Sequence, residues 1–288
     1  MWLVYCLSST VASGFISVFL RKCKNSDGTA SILISVIANN FVFFIIGVSR
    51  GYLQTFDPTL LLKFFPIYAL HLTGVVANVL CAKYARVSLT TPVKRVRSIV
   101  PLILSFFIFN ERLTAAQLIV SFSLFGLSVL SCFVDRQDSG GKLSREEYFG
   151  IFLAFIYASF NGTSSFLTKI YVAEYHDPFI VSFYCAVLTI PTMLLYAVFT
   201  GQLNKLSFKY IDGKWWFIGY ILSDVLVSIL NRLSFVDGPI SIMYVLQGSS
   251  IVVTTIMSRV ILKEKISFKK YLVITGIFIL GVILSFIS

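Results

Sequence analysis

Ten apolar runs, each close to the length a helix needs to cross a bilayer, follow one another with little between them. A helix rises about 1.5 Å per residue and the hydrocarbon layer is roughly 30 Å thick, so about 20 apolar residues make one crossing. Measured against that length, the chain offers spans at 2–20, 30–48, 61–80, 91–109, 117–134, 149–169, 179–199, 215–232, 239–262 and 271–287. Hydrophobic residues fill 57% of the 288 positions and charged residues 13%, far from the balance of a soluble domain. The runs are continuous and lack the polar alternation of a barrel lumen. The expected fold class is therefore all-α, a multi-pass membrane bundle of ten transmembrane helices. No Lys or Arg precedes the first run, and that run exceeds a signal-peptide core, so it reads as a helix. The longest connections, 135–147 and 200–214, are too short to fold alone.

The two halves share a faint repeat. Asn110-Glu111-Arg112-Leu113 corresponds to Lys263-Glu264-Lys265-Ile266 at an offset of 153, and the same offset places His71 on Asp224, Asn78 on Asn231 and Ser88 on Ser241. The expected organisation is a five-helix repeat at 1–134, a connecting loop at 135–147 and a second five-helix repeat at 148–288. Five is odd, so the second repeat enters the membrane inverted. Loop charges agree: the fourth connection carries only Arg112, whereas the ninth carries Lys263, Lys265, Lys269 and Lys270. Odd-numbered connections hold 15 Lys and Arg and even-numbered ones 5, which places the odd connections in the cytoplasm and both termini outside. The net charge of +11 then reads as an orientation signal and an attraction to anionic headgroups. No nucleic-acid partner is expected.

The segments "ARVSLTTPVKRVRSIVPLILSFFIFNERLT" (85–114) and "GPISIMYVLQGSSIVVTTIMSRVILKEKIS" (238–267) resemble the small-residue entry, Pro-containing fourth helix and terminal Glu-basic pair of the drug/metabolite transporter superfamily, particularly its EamA-type ten-helix members. The resemblance covers essentially the whole chain. It implies a central cavity between the repeats, alternating access to its two faces, and a pathway lined by the first four helices of each repeat with the fifth as support. It also implies cytoplasmic termini, opposite to the charge count. An inverted pair of bundles favours a midplane site on physical grounds as well.

Three cations enter the fourth span. Were that span to begin after Arg97, residues 98–109 would extend only about 18 Å, too short to cross. Lys94 and Arg97 lie about 60° apart on one helical face, Pro101 continues that stripe, and Arg95 points elsewhere. Two readings stand. The cations snorkel and anchor the helix, or Lys94, Arg97 and Arg95 bind an anionic group of the substrate, because a charge turned toward lipid costs about 2.5–3.5 kcal/mol. A helix break at Pro101 would add free carbonyls. Asn78, Asn231, Tyr244 and Gln247 are candidate polar contacts to the substrate, Gln247 standing at the repeat position of Lys94; the bland alternative is helix-to-helix bonding. His71 and Asp224 are candidate groups for proton coupling. The alternative is that Asp224 neutralises Arg232 or Lys94 and His71 bonds within the bundle. Glu111 and Glu264 border the membrane and suit capping or local pairing.

The expected function is secondary transport of a small organic metabolite, anionic or zwitterionic compounds slightly preferred. A nucleotide-sugar or lipid-linked phosphate carrier, or a channel, is the alternative. The chain lacks GxxxxGK[ST], GxSxG and HExxH and has only two histidines, His71 and His176, so it is not expected to be an enzyme. Five cysteines without CxxC spacing point to neither metal nor disulfide, and no cofactor is expected. The expected location is the plasma (inner) membrane, with an organelle membrane as the other choice, and the expected state a monomer or homodimer.

Overall fold

The computed structural model describes residues 1–23, 28–85, 87–108, 113–134, 144–202, 213–263 and 267–287. Every regular element among them is helical: α1 (Trp2–Lys22), α2 (Gly28–Ser49), α3 (Pro58–Tyr84), α4 (Val87–Lys94), a 3-10 turn (Arg95–Ser98), α5 (Ile99–Ile108), α6 (Ala115–Val134), α7 (Arg145–Tyr175), α8 (Ile180–Phe199), α9 (Lys214–Asp237), α10 (Ile240–Gly248), α11 (Ser250–Ile261) and α12 (Phe268–Ile287). Eight segments are long and apolar enough to cross a membrane, α10 and α11 together making one of them, and Val96–Ile108 and Ala115–Ser131 are shorter apolar helices. The multi-pass helical bundle of about ten helices agrees with the composition.

Local chemistry sets the ends. Asp57 caps α3 by accepting from the Thr59 amide at 2.8 Å, with Pro58 in the first turn where its missing N–H costs nothing. The Thr59 hydroxyl and amide together hold the Asp57 carboxyl below the usual carboxylate range. Its capping contribution is therefore present above that range and fades as pH falls through the lowered value. Ser144 and Glu147 form a reciprocal capping box at the start of α7.

The fourth and ninth spans are both broken. The break expected at Pro101 lies one turn earlier, in the 3-10 turn Arg95–Ser98. Pro101 has no N–H for the Arg97 carbonyl four residues back, and its ring crowds that carbonyl, so the deformation falls on the preceding turn. The ninth span is interrupted between Gly248 and Ser250, where the Ser249 hydroxyl turns back to the Leu246 carbonyl at 2.5 Å. Shifted by 153 residues, 95–98 becomes 248–251, so the two breaks coincide.

Packing follows the same correspondence. The most extensive helix pairs are α1 with α9 and α3 with α7, which exchange when the halves are exchanged; α2 packs on α8, α6 on α12 and α5 on α10. Two glycines permit the close crossings. A Cβ on Gly14 would stand 2.5 Å from Val253 Cβ, and one on Gly162 would stand 2.9 Å from Val100 Cβ. Val100 and Val253 are again 153 apart. Small residues at such crossings let helix backbones approach where lipid offers no hydrophobic drive to associate. Gly162→Val is accordingly expected to overpack the α7–α5 crossing and cost about 1–3 kcal/mol, read as a lower melting temperature in detergent.

Three helices extend further than the apolar runs. α3 has 27 residues, α7 has 31, and α9 continues to Asp237. Lys63, Lys169 and Arg232, counted above with the even connections at the edges of the apolar runs, lie inside α3, α7 and α9. Lys169 is buried and donates to the carbonyls of Phe235 and Val236 at the end of α9, where a cation complements the helix dipole.

Candidate functional site

A cavity of about 500 Å³ occupies the bundle. Its lining comes from α1, α2, α3, α4 with the 3-10 turn, α7, α9, α10 and α11, and among the described residues none of α5, α6, α8 or α12 borders it. The fifth helix of each half, α6 and α12, thus stands outside the cavity wall. On α1, α2 and α3 the lining residues (13–17, 32–40 and 71–78) fall in the helix halves that adjoin the first and third connections.

Lys94, Arg97, Asn78, Asn231, Tyr244, Gln247, His71 and Asp224 all border this one cavity. The side chain of Arg95 lies outside the described residues, as do Glu111 and Glu264. The helix break explains how Lys94 and Arg97 face inward together: the tighter 3-10 turn stacks residues three apart. Lys94 Nζ donates to Asn78 Oδ1 at 2.6 Å, and Gln247 Nε2 donates to Asn231 Oδ1 at 2.7 Å. Both partners of the second bond are those of the first moved by 153 residues, so one hydrogen bond is built twice, charged in the first half and neutral in the second. Lys94 also sits over the Tyr157 ring at 5.6 Å and Arg97 over the Tyr244 ring at 5.5 Å, contacts that ease burial of a cation.

Asp224 accepts from Ser35 Oγ at 2.6 Å, and beside it Asn39 Nδ2 donates to Ser228 Oγ at 2.7 Å. Among the described residues no ion pair joins Asp224 to Lys94 or Arg232, and no hydrogen bond engages the His71 ring.

Sequence reasoning missed Arg232 as a cavity residue. It was placed with a connection because the apolar run was ended there, whereas Leu233, Phe235 and Val236 carry α9 onward. Its guanidinium lies over the Phe235 ring at 5.5 Å, and its Nε–H is buried without a hydrogen-bond acceptor. Tyr157, Asn161, Tyr220, Asn39 and Asn40 also border the cavity. Ser17 and Ser165, 148 apart, and Val75 and Ser228, 153 apart, occupy it as repeat-related pairs, a signal visible only once the register of each helix is known.

The opposite face is closed. There α2 and α3 of the first half meet α7 and α8 of the second through Phe44, Phe64, Tyr171, Phe183 and Tyr184, with Phe64 and Tyr184 ring centroids 5.7 Å apart and Phe44 and Phe183 5.8 Å apart. Charged latches lie over this plug. Lys63 Nζ contacts Glu174 Oε1 at 2.6 Å and donates to Tyr175 at 2.9 Å; Arg50 pairs with Asp177 at 3.5 Å. Tyr52 donates to Asp177 as well. Burial and then the Asp177 carboxylate push the Tyr52 phenol up to about 12, so this donor stays protonated through the neutral range and its contribution is lost only as pH rises through that value.

The EamA-like transporter family's sequence profile matches residues 148–287. No curated protein matches the chain. A solved crystal structure, titled only as that of a protein, superimposes with a TM-score of 0.78 over 99% of this chain and 95% of its own at 12% identity, a likeness of fold alone. Members of the matched family are transporters rather than enzymes. Over residues 148–287 the chain is thus similar to the EamA-like transporter family, and among the described residues eight helices are long and apolar enough to cross a membrane.

Proposed function

We propose that this protein is a secondary transporter of small organic anions or zwitterions, working by alternating access between two inverted five-helix halves, 1–134 and 148–288. The observation that carries this reading is the cavity's charge: Lys94, Arg97 and Arg232 face it, and Asp224 is the one carboxylate among its described residues. Buried cations without carboxylate partners are costly, and an anionic ligand offsets that cost with charge-assisted hydrogen bonds, bidentate where Arg supplies the fork.

Alternating access is supported by the division between an open half and a plugged one. The plug and its latches join the first half to the second at the second and sixth connections, while the cavity lies toward the first and third. By the positive-inside count the conformation faces the cytoplasm. The repeated hydrogen bond, the coincident helix breaks and the paired glycine crossings all support two halves able to exchange conformations.

Asp224 and His71 serve as coupling groups in this reading. Protonating Asp224 removes the single negative charge among the described lining residues and strengthens the field on an anion, so proton and anion travel in the same direction. In proteoliposomes, uptake of radiolabelled organic anions should rise when the loading side is made acidic. Asp224→Asn should abolish that stimulation while leaving exchange at equal pH. Uptake of cations in preference to anions would rule the reading out.

A further inference from the structure

Resting on the anion-transport reading above, we infer that the substrate is a small hydroxylated dianion, the chemistry shared by a polyol phosphate monoester and a hydroxylated dicarboxylate. Nucleotide conjugates and aromatic amino acids do not fit this cavity.

Charge sets the first constraint. Three cations against one carboxylate leave a surplus of two with Asp224 ionised and of three with it protonated, counting His71 as neutral. A monoanion or zwitterion leaves positive charge uncompensated in a low-dielectric chamber in either state; a dianion is the least that balances the surplus with Asp224 ionised, and it leaves one positive charge with Asp224 protonated. The cations also come from both halves, Lys94 and Arg97 from the fourth span and Arg232 from α9.

The aromatic rings set the second. A base or an indole is held by stacking on an open aromatic face. Here three of the four Phe and Tyr rings that border the cavity are already occupied, Tyr220 being the fourth: Lys94 covers Tyr157 at 5.6 Å, Arg97 covers Tyr244 at 5.5 Å and Arg232 covers Phe235 at 5.5 Å. A nucleotide or an aromatic side chain would have to displace the cations that its own charge needs.

The remaining lining sets the third. Nine Ser and Thr hydroxyls and six side-chain amides border the cavity. Part of this wall is bonded internally, as in Ser35–Asp224, Asn39–Ser228 and Gln247–Asn231; the donors and acceptors left over match a body bearing hydroxyls better than an alkyl one. The volume of about 500 Å³ lies within the range of small-metabolite sites, roughly 300–1,000 Å³.

The test is a thermal-shift series on the purified full chain in detergent, with glycerol 3-phosphate and tartrate as probes and phenylalanine, uridine diphosphate glucose and glycerol as comparators. At about ten times the dissociation constant a true ligand raises the melting temperature by about 3 °C or more. The expected result is such a rise with glycerol 3-phosphate or tartrate, the responding probe telling phosphate from dicarboxylate. Arg97→Gln and Arg232→Gln should remove it, and Arg97→Lys, which keeps charge but loses the fork, should retain part. Because each shift is read against the same variant without probe, a variant that is merely less stable is not mistaken for one that fails to bind. A larger rise with phenylalanine overturns the dianion class, and a larger rise with uridine diphosphate glucose, a dianion carrying a base, overturns the exclusion of nucleotide conjugates; both leave the anion-or-zwitterion reading standing. Equal rises in parent and Gln variants, or no rise with either probe, overturn the inference; preference for glycerol over every charged probe sinks the anion reading along with it.

Discussion

Replacing Arg97 with alanine is expected to lower kcat/KM for an anionic substrate by at least about 30-fold, and Arg232→Ala by a similar factor. Truncating one partner of a desolvated, hydrogen-bonded charge pair costs about 2–5 kcal/mol, and each 1.4 kcal/mol is about tenfold. Arg97→Lys should fall between, since lysine keeps the charge but presents a point where arginine presents a planar fork that also stacks on Tyr244. Lys94→Ala should cost less, because Lys94 is already committed to Asn78 at 2.6 Å. Initial uptake rates in proteoliposomes, normalised to monodisperse protein, decide the matter. If both Arg variants transport at the parental rate, these cations serve only to orient the helices.

Bridging the closed face should stop transport altogether. In a background without the native cysteines, Lys63→Cys with Glu174→Cys joined by a short bifunctional thiol reagent ties α3 of one half to α7 of the other across the plug. A direct disulfide is the poorer choice: the present contact spans two long side chains, whereas a disulfide needs Cα atoms within about 7 Å. Transport by the bridged protein should be lost and should return with a cleavable reagent once it is cut. Removing the latch charges is a different experiment with a smaller result. The Lys63–Glu174 and Arg50–Asp177 pairs are partly exposed, and such pairs contribute about 0.2–1 kcal/mol, so Lys63→Ala should change the balance of conformations by a factor of about five or less. Phe64 is fully buried in the plug, and Phe64→Ala removes about 3–5 kcal/mol of packing. The plug therefore resists opening and the charge pairs only bias it. Transport surviving the bridge would show that this face never opens during the cycle.

Much of the fold was legible because the bilayer simplifies the problem. A helix is the one way an apolar run of this length can satisfy its own backbone in hydrocarbon, so run length alone yields the crossings. Charge in the connections carries orientation for a similar reason: it resists passage through the same layer. The boundaries were less secure. Arg232 ended a run by hydropathy, yet its backbone continues the helix, and a cation inside a cavity looks in sequence like one outside the membrane. The break in the fourth span was assigned to Pro101 itself, whereas the strain falls on the carbonyl a turn before it.

The repeat offset had a different standing. From sequence, 153 rested on His71, Asn78 and Glu111 against their counterparts, matches that chance also supplies. In three dimensions the same number relates the Lys94–Asn78 and Gln247–Asn231 hydrogen bonds, the two helix breaks and the valines that meet Gly14 and Gly162. The aromatic plug left no comparable trace, since phenylalanine and tyrosine serve equally against lipid, at the interface or against one another.

What the residue string determined alone was a bundle of about ten apolar segments, their helical nature and the presence of costly charges among them, because each follows from transfer between water and hydrocarbon, a property of a segment by itself. Which charges share one chamber, that Arg232 joins them, that their aromatic faces are already covered and which end is plugged were decided only by tertiary packing. Those facts depend on the rotation and depth of each helix against its neighbours, and side chains hundreds of residues apart determine both.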